Sequence, residues 1–103
     1  MAVKKQSKYS VLIVDDDKFL LDMYAVKFNE RGYEVNTAVG GEEAINKLRN
    51  GLKPTALLLD LVMPGMDGFA VLDALRKEDI GGDVIPIILS NQGQESEIAR
   101  AKQ

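Results

Sequence analysis

Short apolar runs alternate along the chain with segments of helical periodicity, and this pattern predicts an α/β fold. Near-continuous apolar runs are typical of strands buried on both faces of a parallel sheet. Strand–helix–strand units joined by short loops favour parallel strands with right-handed crossovers. The predicted strands are 11–14, 34–38, 55–59 and 84–89. The first predicted helix begins at Lys18. The other three predicted helices are 42–50, 69–77 and 95–102.

Each predicted helix has an apolar face at i, i+3 and i+4 spacing, and glycines follow two of them. Gly32 and Gly51 fit the left-handed position just after the first and second helix. The residues expected to face the sheet are Leu20, Tyr24, Ala25 and Phe28 with Met23 beside them, then Ala44, Ile45 and Leu48, then Phe69, Leu72 and Leu75, and finally Ile98.

Two of the predicted strands run directly into aspartate. Asp15, Asp16 and Asp17 follow the first strand, and Asp60 follows the third. In open parallel sheets, functional groups gather at the carboxyl ends of the strands. If these two strands are neighbours, Asp15, Asp16 and Asp60 meet, and like charges so close are unfavourable unless a cation joins them. Asp17 is expected to start the first helix as its N-cap.

Composition narrows the chemistry further. The 103 residues are enough for one small domain, predicted at 9–103 after a flexible basic arm at 1–8. The absence of cysteine and histidine means that any metal is held by oxygen ligands. The net charge of −3, without a basic stripe, gives no indication of nucleic-acid binding. No apolar stretch approaches ~18 residues and no signal-peptide pattern is present, so a cytoplasmic protein is expected.

In combination, four motifs resemble the receiver domain of bacterial two-component response regulators. They are the pair Asp15-Asp16, Leu59-Asp60, the loop 63–68 (Met-Pro-Gly-Met-Asp-Gly) and Ser90 after an apolar run. The resemblance implies a flavodoxin-like, doubly wound parallel sheet with strand order 2-1-3-4. That order makes the first and third strands neighbours.

The resemblance also implies the roles of the site residues. Asp60 would accept a phosphoryl group from a histidine kinase or a phosphotransfer protein. Mg²⁺ would be held by Asp15, Asp16, Asp60 and the backbone carbonyl of Val62. Ser90 would be the switch hydroxyl that senses the phosphoryl group.

The chain departs from the family pattern in two places. Asn91 follows the switch serine, where the family usually has a small residue. The sequence ends at Gln103, before the fifth strand, its lysine and the fifth helix, so the receiver is expected to be incomplete. The strand at 84–89 would then be an open apolar edge, which predicts a homodimer or an element-swapped oligomer.

Two other functions remain open. A receiver fragment without a complete switch could act as a structural or oligomerising piece. A Mg²⁺-dependent aspartyl phosphatase also uses an aspartyl nucleophile, but it usually has a second aspartate two residues later, where this chain has Val62. We therefore expect a signalling module rather than an enzyme, with at most hydrolysis of its own aspartyl phosphate.

Overall fold

Four strands and three helices alternate along residues 9–60 and 68–89, the parts of the chain that the computed structural model describes. The strands are β1 (Ser10–Val14), β2 (Glu34–Ala38), β3 (Ala56–Asp60) and β4 (Ile85–Leu89). The helices are α1 (Lys18–Glu30), α2 (Gly41–Arg49) and α3 (Gly68–Glu78). The predicted arm at 1–8 and the predicted helix at 95–102 lie outside the described residues.

The strands form one parallel sheet in the order β2-β1-β3-β4. Val14, the last residue of β1, is in register with Ala38 of β2 and with Leu59 of β3. The flavodoxin-like fold and the strand order expected from the sequence are therefore confirmed. Because β1 and β3 are hydrogen-bonded neighbours, their carboxyl ends lie side by side.

The core lies on both faces of the sheet, which explains why β1 and β3 are apolar at almost every position. Alternate side chains of a strand point to opposite faces. On one face, Leu12 and Leu57 pack with the apolar side chains of α2 and α3. On the other face, Ile13 and Leu58 pack against α1. Both central strands are thus covered on both sides, as expected for a doubly wound sheet.

The inward face of α1 differs from the prediction. Leu21 is the buried residue of this helix, and Met23 is 38% exposed, so the placement of Met23 beside the inward face was wrong. The residues that face the sheet follow i, i+3, i+4 and i+7 spacing from Leu21 through Tyr24 and Phe28. Met23 is two residues from Leu21, about 200° around the helix, and so lies on the far side.

Helix boundaries agree with the local signals to within a residue or two. Asp17 caps α1, because its carboxylate accepts hydrogen bonds from the backbone N–H groups of Phe19 and Leu20 at 3.0 and 3.3 Å. Gly32 and Gly51 have φ angles of +93° and +106° after α1 and α2. In α3, Val71 is fully buried, although the sequence pattern favoured Phe69, Leu72 and Leu75.

Within the described residues, β4 pairs only with β3 and forms one edge of the sheet. The side chains of Ile85 and Ile87 are 59% and 46% exposed. The N–H of Ile85 donates to the carbonyl of Thr55, so the backbone nitrogen of the next residue, Pro86, faces away from β3. Proline has no N–H to offer there, which makes this edge a poorer template for a further strand. None of the described helices is long and apolar enough to cross a membrane.

Candidate functional site

Three carboxylates meet where β1 and β3 end. Asp15 and Asp16 directly follow β1, and Asp60 is the last residue of β3. One carboxylate oxygen from each of the three residues lies within 4.8 Å of the others. The pairing of β1 with β3 brings these acids together, although 45 positions separate Asp15 from Asp60 in the sequence.

Asp15 is the most constrained member of the cluster. Only 4% of its surface is exposed, and it is the one charged residue in the buried set of the described chain. Its backbone N–H donates to the carbonyl of Ala38, at the end of β2, at 3.2 Å. Its Oδ1 accepts a hydrogen bond from the backbone N–H of Asp17 at 2.9 Å. The backbone and the carboxylate of Asp15 are therefore each held by a hydrogen bond.

The environment of Asp15 opposes its negative charge. Burial is the largest cause that raises the pKa of this carboxyl, and repulsion from Asp60, Asp16 and Asp17 raises the pKa further. The hydrogen bond from the N–H of Asp17 acts in the opposite direction, because it stabilises the ionised form. A cation in the cluster would remove the repulsion that these carboxylates impose on one another.

The donor set fits a hard divalent cation. All three side chains offer carboxylate oxygens, which Mg²⁺ and Ca²⁺ prefer as ligands. Asp16 is exposed and Asp60 is half-buried, so solvent reaches two of the three carboxylates. Mg²⁺ usually keeps several waters and uses one or two carboxylates plus phosphate oxygens. The described residues thus fit a hard divalent cation such as Mg²⁺.

The remaining predicted site residues, Val62 and Ser90, lie outside the described residues, as do Asp67 and Asn91. Sequence reasoning missed two features of the site. One is the carbonyl of Ala38, which fixes the backbone of Asp15 and depends on the partner strand. The other is the bond from the N–H of Asp17 to Asp15, which the i, i+2 spacing of an Asx turn could have indicated.

Comparisons with known proteins agree with this geometry. The family described as "Response regulator receiver domain" matches residues 11–103. The chain is 34% identical over 84 residues to the DNA-binding dual master transcriptional regulator RpaA of Synechocystis sp.. The aligned residues cover 82% of this chain and 34% of RpaA. The chain thus spans about a third of the length of the curated relatives it matches.

Solved structures share the fold. Chemotaxis protein CheY4 of Vibrio cholerae has a TM-score of 0.77 and 27% identity, with 92% of this chain and 80% of that one covered. The response regulator TrrA of Thermotoga maritima, solved in complex with Mg²⁺-BeF, has a TM-score of 0.67 and 25% identity over 91% of this chain and 97% of that one. Because the receiver-domain family matches residues 11–103, the chain belongs to the response regulator receiver domains, which are the signalling modules of two-component systems.

Proposed function

We propose that the domain is the phospho-acceptor of a two-component phosphorelay and that Asp60 is the residue phosphorylated. The observation that carries the proposal is the cluster of Asp15, Asp16 and Asp60 at the joined ends of β1 and β3. The donor would be a phosphohistidine of a histidine kinase or a phosphotransfer protein. Because receiver domains are signalling modules, we expect no turnover of a separate substrate.

The transfer is a displacement at phosphorus. A carboxylate oxygen of Asp60 forms the new O–P bond while the N–P bond of the phosphohistidine breaks, and the departing imidazole nitrogen takes a proton from solvent. The electron pair of the broken bond stays on that nitrogen. Asp60 is half-buried, so part of this residue is accessible to solvent.

Asp15, Asp16 and Asp60 would hold Mg²⁺, together with the backbone carbonyl of Val62. When bound, Mg²⁺ neutralises the charge of the carboxylates and of the incoming phosphoryl oxygens. The buried position of Asp15 and its two hydrogen bonds keep one ligand in a fixed place. The complex of the relative TrrA with Mg²⁺-BeF supports this part of the proposal. By the family resemblance, Ser90 would donate a hydrogen bond to the bound phosphoryl group.

The test is incubation with Mg²⁺ and a small phosphodonor such as acetyl phosphate, followed by intact mass measurement. One phosphoryl adduct is expected on the wild-type chain and none on Asp60→Asn. The matched control is Asp22→Asn, because Asp22 is an exposed aspartate on the surface of α1, where it forms an ion pair with Lys18. Steady turnover of a phosphoester would instead support the phosphatase alternative. An adduct that persists in Asp60→Asn would reject Asp60 as the acceptor.

A second role is favoured by the exposed edge strand. We propose that β4 associates with β4 of a second copy of this chain, because Ile85 and Ile87 expose apolar surface on a strand that pairs only with β3 among the described residues. Pro86 weakens backbone pairing at this edge, so the exposed apolar side chains would supply most of the contact. Two antiparallel copies of one edge strand are related by a two-fold axis, which gives a closed dimer. Sedimentation equilibrium should show a dimer for the wild type and a monomer for Ile87→Lys. A wild-type monomer at all concentrations would reject this role.

A further inference from the structure

Two side chains of α2 tie this helix to the carboxyl end of β2. Oε1 of Glu43 accepts a hydrogen bond from the backbone N–H of Val39 at 3.3 Å. Nζ of Lys47 donates to the backbone carbonyl of Thr37. The same Nζ lies 3.4 Å from Oε2 of Glu43, so the two side chains also bind each other.

The N-terminus of α2 explains why Glu43 bonds to the backbone before the helix. The N-cap residue of α2 is Gly40, which has no side chain to accept a hydrogen bond from the backbone. A carboxylate three residues after the N-cap can reach back to the chain before the helix, as in a capping box. In this chain Glu43 is at that position, and it reaches the N–H of Val39.

The residue between these two anchored positions belongs to the carboxylate site. Ala38, which is fully buried, lies between Thr37 and Val39 in the sequence. Its carbonyl accepts the hydrogen bond from the backbone N–H of Asp15. The pair formed by Glu43 and Lys47 therefore restrains the backbone on both sides of the carbonyl that fixes Asp15.

We infer that Glu43 and Lys47 are positioning residues for the metal ligand Asp15. This inference rests on the proposed Mg²⁺ site. Loss of the pair would free the end of β2, loosen the bond from Asp15 to Ala38 and weaken the binding of Mg²⁺. Residues that orient a metal ligand commonly affect metal affinity although they do not touch the metal.

The experiment compares the affinity for Mg²⁺, by calorimetric titration, and the hydrogen exchange of the Asp15 amide in the metal-free protein. Glu43→Ala should weaken Mg²⁺ binding roughly three- to tenfold and speed the exchange of the Asp15 amide. Glu43→Gln keeps an acceptor for the N–H of Val39 and should retain most of the affinity. The matched control is Glu42→Ala, which removes the same charge from the neighbouring exposed position.

Lys47→Met separates positioning from bulk electrostatics. Removal of a positive charge near an acidic cluster would by itself strengthen cation binding. Positioning predicts the opposite result, a roughly two- to threefold weaker affinity for Mg²⁺ and faster exchange of the Asp15 amide. Lys47→Met also tests the inference if Glu43→Ala does not fold.

Several results would overturn the inference. The inference fails if Glu43→Ala binds Mg²⁺ with wild-type affinity and its Asp15 amide exchanges at the wild-type rate. It also fails if Glu42→Ala and Glu43→Ala lose Mg²⁺ affinity equally. Tighter Mg²⁺ binding by Lys47→Met, with unchanged exchange, would show that only charge is involved. If the wild-type chain binds no Mg²⁺, the proposed function fails, while the exchange of the Asp15 amide still decides whether Glu43 and Lys47 hold this residue.

Discussion

The backbone N–H of Asp17 donates to Oδ1 of Asp15 at 2.9 Å, so the residue that caps α1 also orients the buried carboxylate. The carboxylate of Asp17 simultaneously accepts from the N–H groups of Phe19 and Leu20. The start of α1 and the acidic site are therefore built by the same three-residue turn. A change in the helix cap would be transmitted directly to the carboxylate of Asp15.

Asp15→Asn should raise the free energy of unfolding of the metal-free protein at neutral pH. Burial and the neighbouring acids raise the pKa of Asp15, so ionisation of this carboxyl is less favourable in the folded protein than in the unfolded chain. Asparagine has the same shape, keeps an acceptor for the N–H of Asp17 and removes the unfavourable charge. Urea unfolding in a chelating buffer measures the difference.

The pH dependence of this effect follows from the same pKa direction. Above the raised pKa the wild type carries the full cost of the ionised Asp15, and the advantage of Asp15→Asn is greatest. As pH falls through the raised pKa toward the ordinary aspartate range, the wild type gains its proton and the advantage disappears. Mg²⁺ should stabilise the wild type and reverse the order. A variant less stable than the wild type at neutral pH without metal would contradict the prediction.

Val71→Ala should lower the free energy of unfolding by about 1–3 kcal/mol, because Val71 is fully buried between α3 and the sheet. Val26→Ala is the matched control. Val26 is also a helical valine, but it is 57% exposed on α1, and alanine has the higher helix propensity. The control should leave stability unchanged or slightly raised. Thermal unfolding of both variants provides the comparison, and equal losses would show that Val71 is not a core residue.

Gly51→Ala should cost about 1–2 kcal/mol of stability, although a Cβ at this position would meet no atom within 4 Å. The cost arises from its φ of +106°, a backbone conformation that alanine rarely adopts. Gly40 also has open space around it, but its φ of 175° is extended backbone that alanine accepts. Gly40→Ala should cost less, about 0.5 kcal/mol in chemical unfolding, because Gly40 is the N-cap of α2, where glycine is preferred to alanine. Similar losses in both variants would exclude backbone conformation as the cause.

Glu78→Gln should lower the melting temperature slightly at neutral pH and low salt. Nε and Nη2 of Arg49 donate to the two carboxylate oxygens of Glu78, both at 2.7 Å, and the pair joins the ends of α2 and α3. The hydrogen bond from Arg49 lowers the pKa of Glu78, so the stabilisation is present above the ordinary glutamate range and is lost as pH falls through the lowered pKa.

High salt should also abolish the effect of Glu78→Gln, because both side chains are substantially exposed to solvent. The control is Glu30→Gln, an exposed glutamate at the end of α1 for which the described residues provide no ion pair. Melting curves at low and high salt distinguish the two variants. A loss for Glu78→Gln that persists in high salt would indicate a role other than charge pairing.

The chain pattern predicted the strands and most of the helical faces because burial leaves a strong periodic signal. The prediction was wrong for Met23, since hydrophobicity alone does not say which of several apolar residues on a helix faces the sheet. Leu21 is buried because its direction on α1 places it over Ile13 and Leu58. In α3, Val71 is buried more deeply than the larger Leu72 and Leu75 for the same reason.

The sequence by itself determined the α/β alternation, the cap at Asp17, the glycine ends of the helices and the identity of three acids at strand ends. These features depend on local backbone chemistry and on periodicity, which are properties of neighbouring residues. Local patterns did not determine that β1 lies beside β3, which was expected from the family resemblance and is confirmed by the structure, and only the tertiary structure decided that the carbonyl of Ala38 fixes Asp15. Those contacts join segments far apart in the chain, and the distances between their atoms are set by the packing of the whole sheet.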